Sequence, residues 1–418
     1  MSTITNEPIL LDSTGRDIRD ELKRQNGYLA MLAESRRAEV YTSMSQIASI
    51  IRGGDVEQNA KLMPIGDQII MPWKDMDDSA HNTDETAYQV PWDIVRHGLV
   101  TLRDGSVVPG MFLQMHLCSA YGVQFSHQQA FMMCPDGLAA GAYTVTFGAT
   151  WGSKGANAGT NWTFELSQEV PAGGMLSGFE GLPDVYPSAF KVKSWASADA
   201  VEPIETVSVT AGASGTSLGT MNLTTRSDDG LNCMQRVGYG HNRWDTSAIR
   251  RYLNSAGANW WKPQEDFDVR PDQYAKQGFL SGFGEDFLSA IKPVKVTTAL
   301  NGVEGHTETT VDTYDTFFLP SLEQMNANPQ LAGVEGDYFE YWRRRLGLTG
   351  FAQTHPTVYD GYKIPAINSA SPQAVRLRSA SRGYANYTWY VYSSGYVFGS
   401  HGAGASYANR FSPVCVIC

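Results

Sequence analysis

Six of the chain's twenty tyrosines fall between Ser381 and Phe411, a stretch with no Asp, Glu, Lys, Gln, Met, Leu, Ile, Pro or Cys. Tyrosine mixed with Ser, Gly, Asn and His is the composition of an antibody-like paratope, where rigid amphipathic rings anchor and small polar groups adapt. The chemistry on offer is therefore non-covalent recognition. Residue types suited to other chemistry lack the spacing for it. Cys118, Cys134, Cys233, Cys415 and Cys418 are odd in number and irregularly placed, which reads as buried free thiols rather than a disulfide framework. Cys415-Val-Ile-Cys418 reads as part of a buried final strand, not half a zinc site or a prenylation box. His116 and His127 sit on different elements and read as structural. Acidic residues are plentiful, but nothing singles out a pair for glycoside cleavage. No metal or organic cofactor is expected, and no catalytic residue.

The elements that must position the tyrosines follow from period-two patterning. Trp389 and Val391 alternate with Tyr390 and Tyr392, and Val397 lies between Tyr396 and Phe398. This predicts two strands joined at Ser393-Ser394-Gly395, with Trp389, Val391 and Val397 buried and the aromatic partners facing out. Upstream, Asn242–Asn254 predicts a capped amphipathic helix with Ile249, Tyr252 and Leu253 on its core face. Phe279–Ile291 predicts a second, short helix, and Phe317–Leu322 a strand running into a turn. Arg343, Arg344 and Arg345 beside Trp342 read as a solvated helix face.

Earlier in the chain, residues 1–60 are expected to be helical, with Ile18, Leu22, Leu29, Leu32 and Ala33 on one stripe and Val40, Met44, Ile47 and Ile51 on another. Two readings stand open: a helical pair packed on the next domain, or a self-associating stalk. Residues 61–222 read as a β-sandwich-like spacer. Its expected strands are Ile69–Met71, Gly98–Leu102, Val107–Gln114, Tyr143–Phe147, Trp162–Leu166, Phe190–Ser194 and Glu205–Val209. Arg103-Asp104-Gly105-Ser106 carries a hairpin turn signal, and Gly212–Gly219 reads as a linker. The resulting class is α+β multidomain.

A net charge of −11 argues against a phosphate-tracking nucleic-acid binder. No apolar stretch reaches membrane-spanning length, so membrane insertion is not expected. The opening Met-Ser-Thr-Ile-Thr-Asn-Glu-Pro lacks a secretory signal pattern, so synthesis in a cytoplasm without a signal peptide is expected.

Asn242–Asn254, Phe317–Leu322, Arg378-Ser379 and Arg410–Ile417 come in an order that resembles a family of gut-phage proteins ending in a C-type-lectin-like domain. Residues 376–418 look like the variable region of a diversity-generating retroelement target protein. There a reverse transcriptase miscopies template adenines, scattering Asn codons into Tyr, Ser, Gly, His, Phe, Thr and Ala. Residues 223–418 would then be the lectin-like unit. The diversified positions implied are Gly383, Tyr384, Asn386, Tyr387, Tyr390, Tyr392, Ser394, Tyr396, Phe398, Gly399, Ser400, His401, Gly402, Gly404, Ser406 and Tyr407. Leu377 departs from the Trp that related domains often place before Arg-Ser. The calcium tripeptides of sugar-binding lectins are missing.

The resemblance implies a receptor-binding protein of a phage tail fibre or tip. It would recognise a bacterial surface protein or glycan, contact other virion tail proteins through its N-terminal region, and assemble as a homotrimer. Competing expectations are a cellular surface adhesin, a structural virion protein, or an enzyme of the formylglycine-generating or glycan-cleaving type.

Overall fold

The computed structural model describes residues 43–418, except 130, 135, 148–160, 171, 173, 178–188, 194–208, 212–214, 222–233, 236–240, 263–267, 270, 301–308, 330–332, 382–386, 400–404 and 406. The protein is a mixed α+β structure in which strands predominate.

Its central feature is a five-stranded antiparallel sheet in the spatial order Gln68–Trp73, Tyr88–Thr101, Val107–Met115, Val414–Ile417, Phe317–Phe318. The Tyr88–Thr101 and Val107–Met115 strands form the expected hairpin. Asp104 Oδ1 accepts from the Ser106 amide at 2.9 Å, and Gly105 supplies the positive φ of +86° that the turn requires. Val414–Ile417 is buried along its whole length, and pairs Val416 with Phe112 and Cys415 with Leu113. Strands 68–115 and 414–417 are thus neighbours in one sheet. A division at 222/223 into spacer and binding domain does not separate two cores.

Behind this sheet Trp92, Phe283, Phe287 and Phe317 pack with ring centroids 5.1–6.3 Å apart. Each such buried side chain contributes roughly 1.5–3 kcal/mol of apolar transfer free energy. The Met44–Gly53 helix buries Met44, Ile47, Ala48 and Ile51 in the same core. Asp286, from the Glu285–Ala290 helix, accepts from the Met44 amide at 2.9 Å, and Arg52 donates to the Cys418 carbonyl at 2.7 Å. The second expected apolar stripe therefore docks within the chain. The first stripe, Ile18 to Ala33, lies outside the described residues, as does Val40.

Between these parts of the sheet, the described residues of 131–235 form eight short strands in one further sheet, antiparallel except where Thr216–Met221 runs parallel to Gly141–Phe147. The Gly/Ser/Thr segment read as a linker contributes the Thr216–Met221 strand. The expected 205–209 strand is described only from Val209, which opens Val209–Ala211. The helix expected over 242–254 is confined to Ala248–Leu253, with Ser247 as its cap. Phe279–Ile291 divides into a 3-10 turn, Phe279–Gly282, and the Glu285–Ala290 helix.

Candidate functional site

Three strands carry the tyrosine-rich segment: Val375–Ala380, Thr388–Val391 and Val397–Phe398, in that spatial order. The outer two are set by the middle one, in which Tyr390 faces Arg376 on one side and Phe398 on the other. Gly395 closes the turn at φ +96°, a conformation that favours glycine.

Val391 and Val397 are fully buried, as the alternation predicts. On the other face the rings assemble into a layer of their own. Tyr392 and Tyr396 stack with centroids 5.1 Å apart and planes 20° from parallel. Phe398 meets Tyr396 edge-on at 5.7 Å and Tyr390 at 6.0 Å, and Tyr390 meets Tyr392 at 6.0 Å. These edge-to-face and offset geometries are the favourable ones for aromatic quadrupoles. Tyr392 is 40% exposed, while Tyr396 and Phe398 are half-buried.

Two residues expected on this face are inside it. Tyr390 is buried, because a residue on the middle strand is covered by both neighbours. Burial, and then the nearby Tyr396 and Tyr392, push its phenol up to about 12. Gly399 is also buried: a Cβ there would come within 2.8 Å of the Trp389 ring. Trp389, expected to be buried, is half-buried and packed against the hydrophobic core. Tyr387 contributes its carbonyl to Asn242 Nδ2 at 2.9 Å, and Ser394 is half-buried in the turn. Tyr407 is exposed on a separate stretch, beside Ala408–Asn409, which pairs with Val123–Gln124. Gly383, Tyr384, Asn386, Ser400, His401, Gly402, Gly404 and Ser406 lie outside the described residues.

Two guanidiniums anchor the assembly from Val375–Ala380, both fully buried. Arg376 donates to Thr388 Oγ1 at 2.7 Å and to the Tyr407 carbonyl at 3.2 Å, tying together two separated parts of the segment. Burial lowers its pKa to about 9, opposed by the neighbouring Tyr390. Arg378 donates to the carbonyls of Leu319 (2.8 Å), Glu335 (2.6 Å) and Thr297 (3.3 Å) and to Thr298 Oγ1 (3.2 Å). Burial lowers its pKa to about 10, opposed by Glu335, Asp315 and Glu323. Such charge-assisted bonds to several acceptors are what offset burying a guanidinium. Leu377, between them, is fully buried.

One contributor escaped the sequence reading. His355 packs edge-on against Tyr396 at 5.0 Å and Phe398 at 4.7 Å, and its amide donates to the Val397 carbonyl at 2.8 Å. It lies some forty residues upstream, with no periodic pattern around it.

Away from the aromatic layer, a concave region of about 290 Å³ is lined by Arg96, Lys295 and Arg378 together with Glu335 and Asp337. Its charged groups are mutually engaged: Arg96 with Asp337, and Lys295 with Asp312 at 2.8 Å. Glu335 accepts from the Ala299 amide at 3.1 Å, while both oxygens of nearby Glu323 accept from the Gly333 amide at 2.8 and 2.9 Å. These carboxylates hold loops in place. Among the described residues no cluster of three or more His, Cys, Asp or Glu is placed to hold a metal. Cys118, Cys415 and Cys418 are buried free thiols. Burial pushes Cys118 up to about 12 and Cys415 well above its ordinary value, away from nucleophilic reactivity. His116 Nδ1 hydrogen-bonds the buried Asp93 carboxylate at 2.7 Å, and His127 is buried.

Residues 219–417 match a family described as a domain of unknown function, DUF6273. No curated protein and no solved structure matches the chain. The matching segment supplies the Phe317–Phe318 and Val414–Ile417 strands of the central sheet and the whole aromatic hairpin. The other three strands of that sheet precede it. No described helix is long and apolar enough to cross a membrane.

Proposed function

We propose that this chain is a non-enzymatic recognition protein, presenting the Tyr392–Tyr396–Phe398 layer and its neighbours to a bacterial surface protein or glycan. The observation that carries this reading is an exposed aromatic layer held on a frame whose bonds go mostly to main-chain atoms. Replacing the outer side chains leaves those bonds in place. A surface under diversification needs that separation of frame from face.

With the resemblance described above, the reading extends to a receptor-binding protein of a phage tail, with a C-type-lectin-like C-terminal unit and a retroelement-diversified segment over about 376–418. It needs no cofactor. Several weak sites act together in a homotrimer, since tethering copies raises apparent affinity by about 10²–10⁴.

The decisive experiment is to sequence the DNA flanking the gene. A near-copy of codons 376–418 beside a reverse-transcriptase gene, differing only where the copy carries adenine, is the expected result. A gene with no such copy in its genome would overturn the retroelement reading. For recognition itself, labelled wild-type and Tyr392→Ala/Tyr396→Ala protein should differ in staining of a mixed gut bacterial community sorted by fluorescence. Equal staining would count against the aromatic face. Light scattering should give three chains per particle.

A further inference from the structure

The loop from Phe351 to Asp360 lies outside the diversified segment, yet it is bonded to the hairpin along its turn. The His355 amide donates to the Val397 carbonyl and the Tyr359 amide to the Gly395 carbonyl, each at 2.8 Å. A Cβ on Gly395 would come within 2.4 Å of the Tyr359 carbonyl, so the two segments touch backbone to backbone. The His355 ring continues the aromatic layer against Tyr396 and Phe398. In the same loop, Val358 is 50% exposed and Phe351 36%.

Charge sets this surface apart. No Asp, Glu, Lys or Arg occurs from Phe351 to Tyr359, nor from Ala385 to Asn409, in a chain of net charge −11. At its border Lys363 and Asp360 are paired with each other at 2.7 Å. An uncharged aromatic and aliphatic centre with a polar margin is the anatomy of a protein–protein interface core and rim. Exposed Val358 and Phe351 offer area to an apolar partner and nothing to sugar hydroxyls.

Resting on the recognition reading above, we propose that the binding face extends onto this loop, with His355 and Val358 as fixed anchors beside the variable rings. Its occupant is an uncharged, apolar-centred protein surface. The fixed part supplies a baseline grip, and the hairpin supplies discrimination.

The test uses the full-length protein and a displayed library of random cyclic peptides, panned without prior choice of target. Recovered peptides should be poor in charge and should bind almost equally at low and high salt. Affinity should fall about tenfold or more with Tyr392→Ala and with Val358→Asp, the scale of a hot-spot loss. Leu62→Asp, at an exposed position on the Val56–Leu62 helix, should leave affinity unchanged. Val358→Thr, milder and still exposed, guards against a folding artefact, and thermal melts of all variants should match wild type. Peptides lost to Tyr392→Ala but indifferent to both Val358 variants would overturn the extension and leave the aromatic face standing. Peptides indifferent to Tyr392→Ala and to both Val358 variants, or neither peptide nor glycan binding at all, would overturn both. Binding of neutral oligosaccharides on a glycan array, dependent on Tyr392 and Val358 while no peptide binds, would overturn the protein occupant.

Discussion

The Val375–Ala380 strand and the neighbouring hairpin of Thr388–Val391 and Val397–Phe398 share one small sheet but are built on opposite terms. In the first, side chains are the structure: Arg376, Leu377 and Arg378 are fully buried, and the guanidiniums reach across to separate parts of the fold. In the second, the backbone is the structure, and the outer rings pack mainly on one another. Polar side chains directed at main-chain carbonyls make a frame insensitive to what its neighbours carry. Rings directed outward make a face that can change without cost to the frame.

The contrast breaks most visibly at Arg378. Arg378→Ala leaves several buried acceptors without a donor, each worth about 1–3 kcal/mol, so urea denaturation should show a loss of about 3–5 kcal/mol. Tyr390→Ala comes next, about 3 kcal/mol, because it empties a packed interior position although it belongs to the tyrosine-rich segment. A loss as small as that of Tyr392→Ala would erase the boundary drawn between them. Gly395→Ala forces a positive φ and a contact with the Tyr359 carbonyl. It should cost about 1–3 kcal/mol and should raise amide exchange at His355 and Tyr359.

Alkaline pH sharpens the same boundary. The folded-state pKa of Tyr390, about 12, lies above an unfolded value of about 10, so the native state holds the proton more tightly. Its contribution is fully present below about pH 10 and is lost as pH rises toward about 12. Tyr390→Phe should flatten part of that decline, read from urea midpoints across the range. The smallest effect is expected for Tyr392→Ala, within about 0.5 kcal/mol of wild type for an exposed side chain. A larger loss would mean that the face helps to hold the frame.

Much of this was legible because local chemistry decided it. Asp104-Gly105 fixed its hairpin, Ser393-Ser394-Gly395 placed the second turn, and the apolar run before Cys418 gave a buried strand. Alternation told the two hairpin faces apart, but could not show that Tyr390 sits beneath its own layer, since burial there comes from flanking strands rather than its own. His355 was hidden for a related reason: its partners are distant in sequence, and a lone histidine before a proline carries no periodic signal. The pairing of 107–115 with 414–417 joins the ends of a long stretch of chain, beyond the reach of any local pattern. The Gly/Ser/Thr run at 212–219 misled because composition suggested a linker, whereas sheet context made part of it a strand.

The strand Val414–Ile417 lies downstream of the aromatic hairpin and inside the five-stranded sheet, between Val107–Met115 and Phe317–Phe318. Translation must therefore pass the whole aromatic hairpin before that sheet can be completed. A frameshift or stop codon within the hairpin would delete an interior strand, leaving Val107–Met115 and Phe317–Phe318 without the strand that lies between them. Such a product is expected to be less stable than the full chain and more open to proteolysis, which limited digestion would show. Substitution on the outer face of the hairpin spares this strand and truncation does not: the order of strands ties completion of the sheet to the reading frame of the hairpin rather than to its side chains.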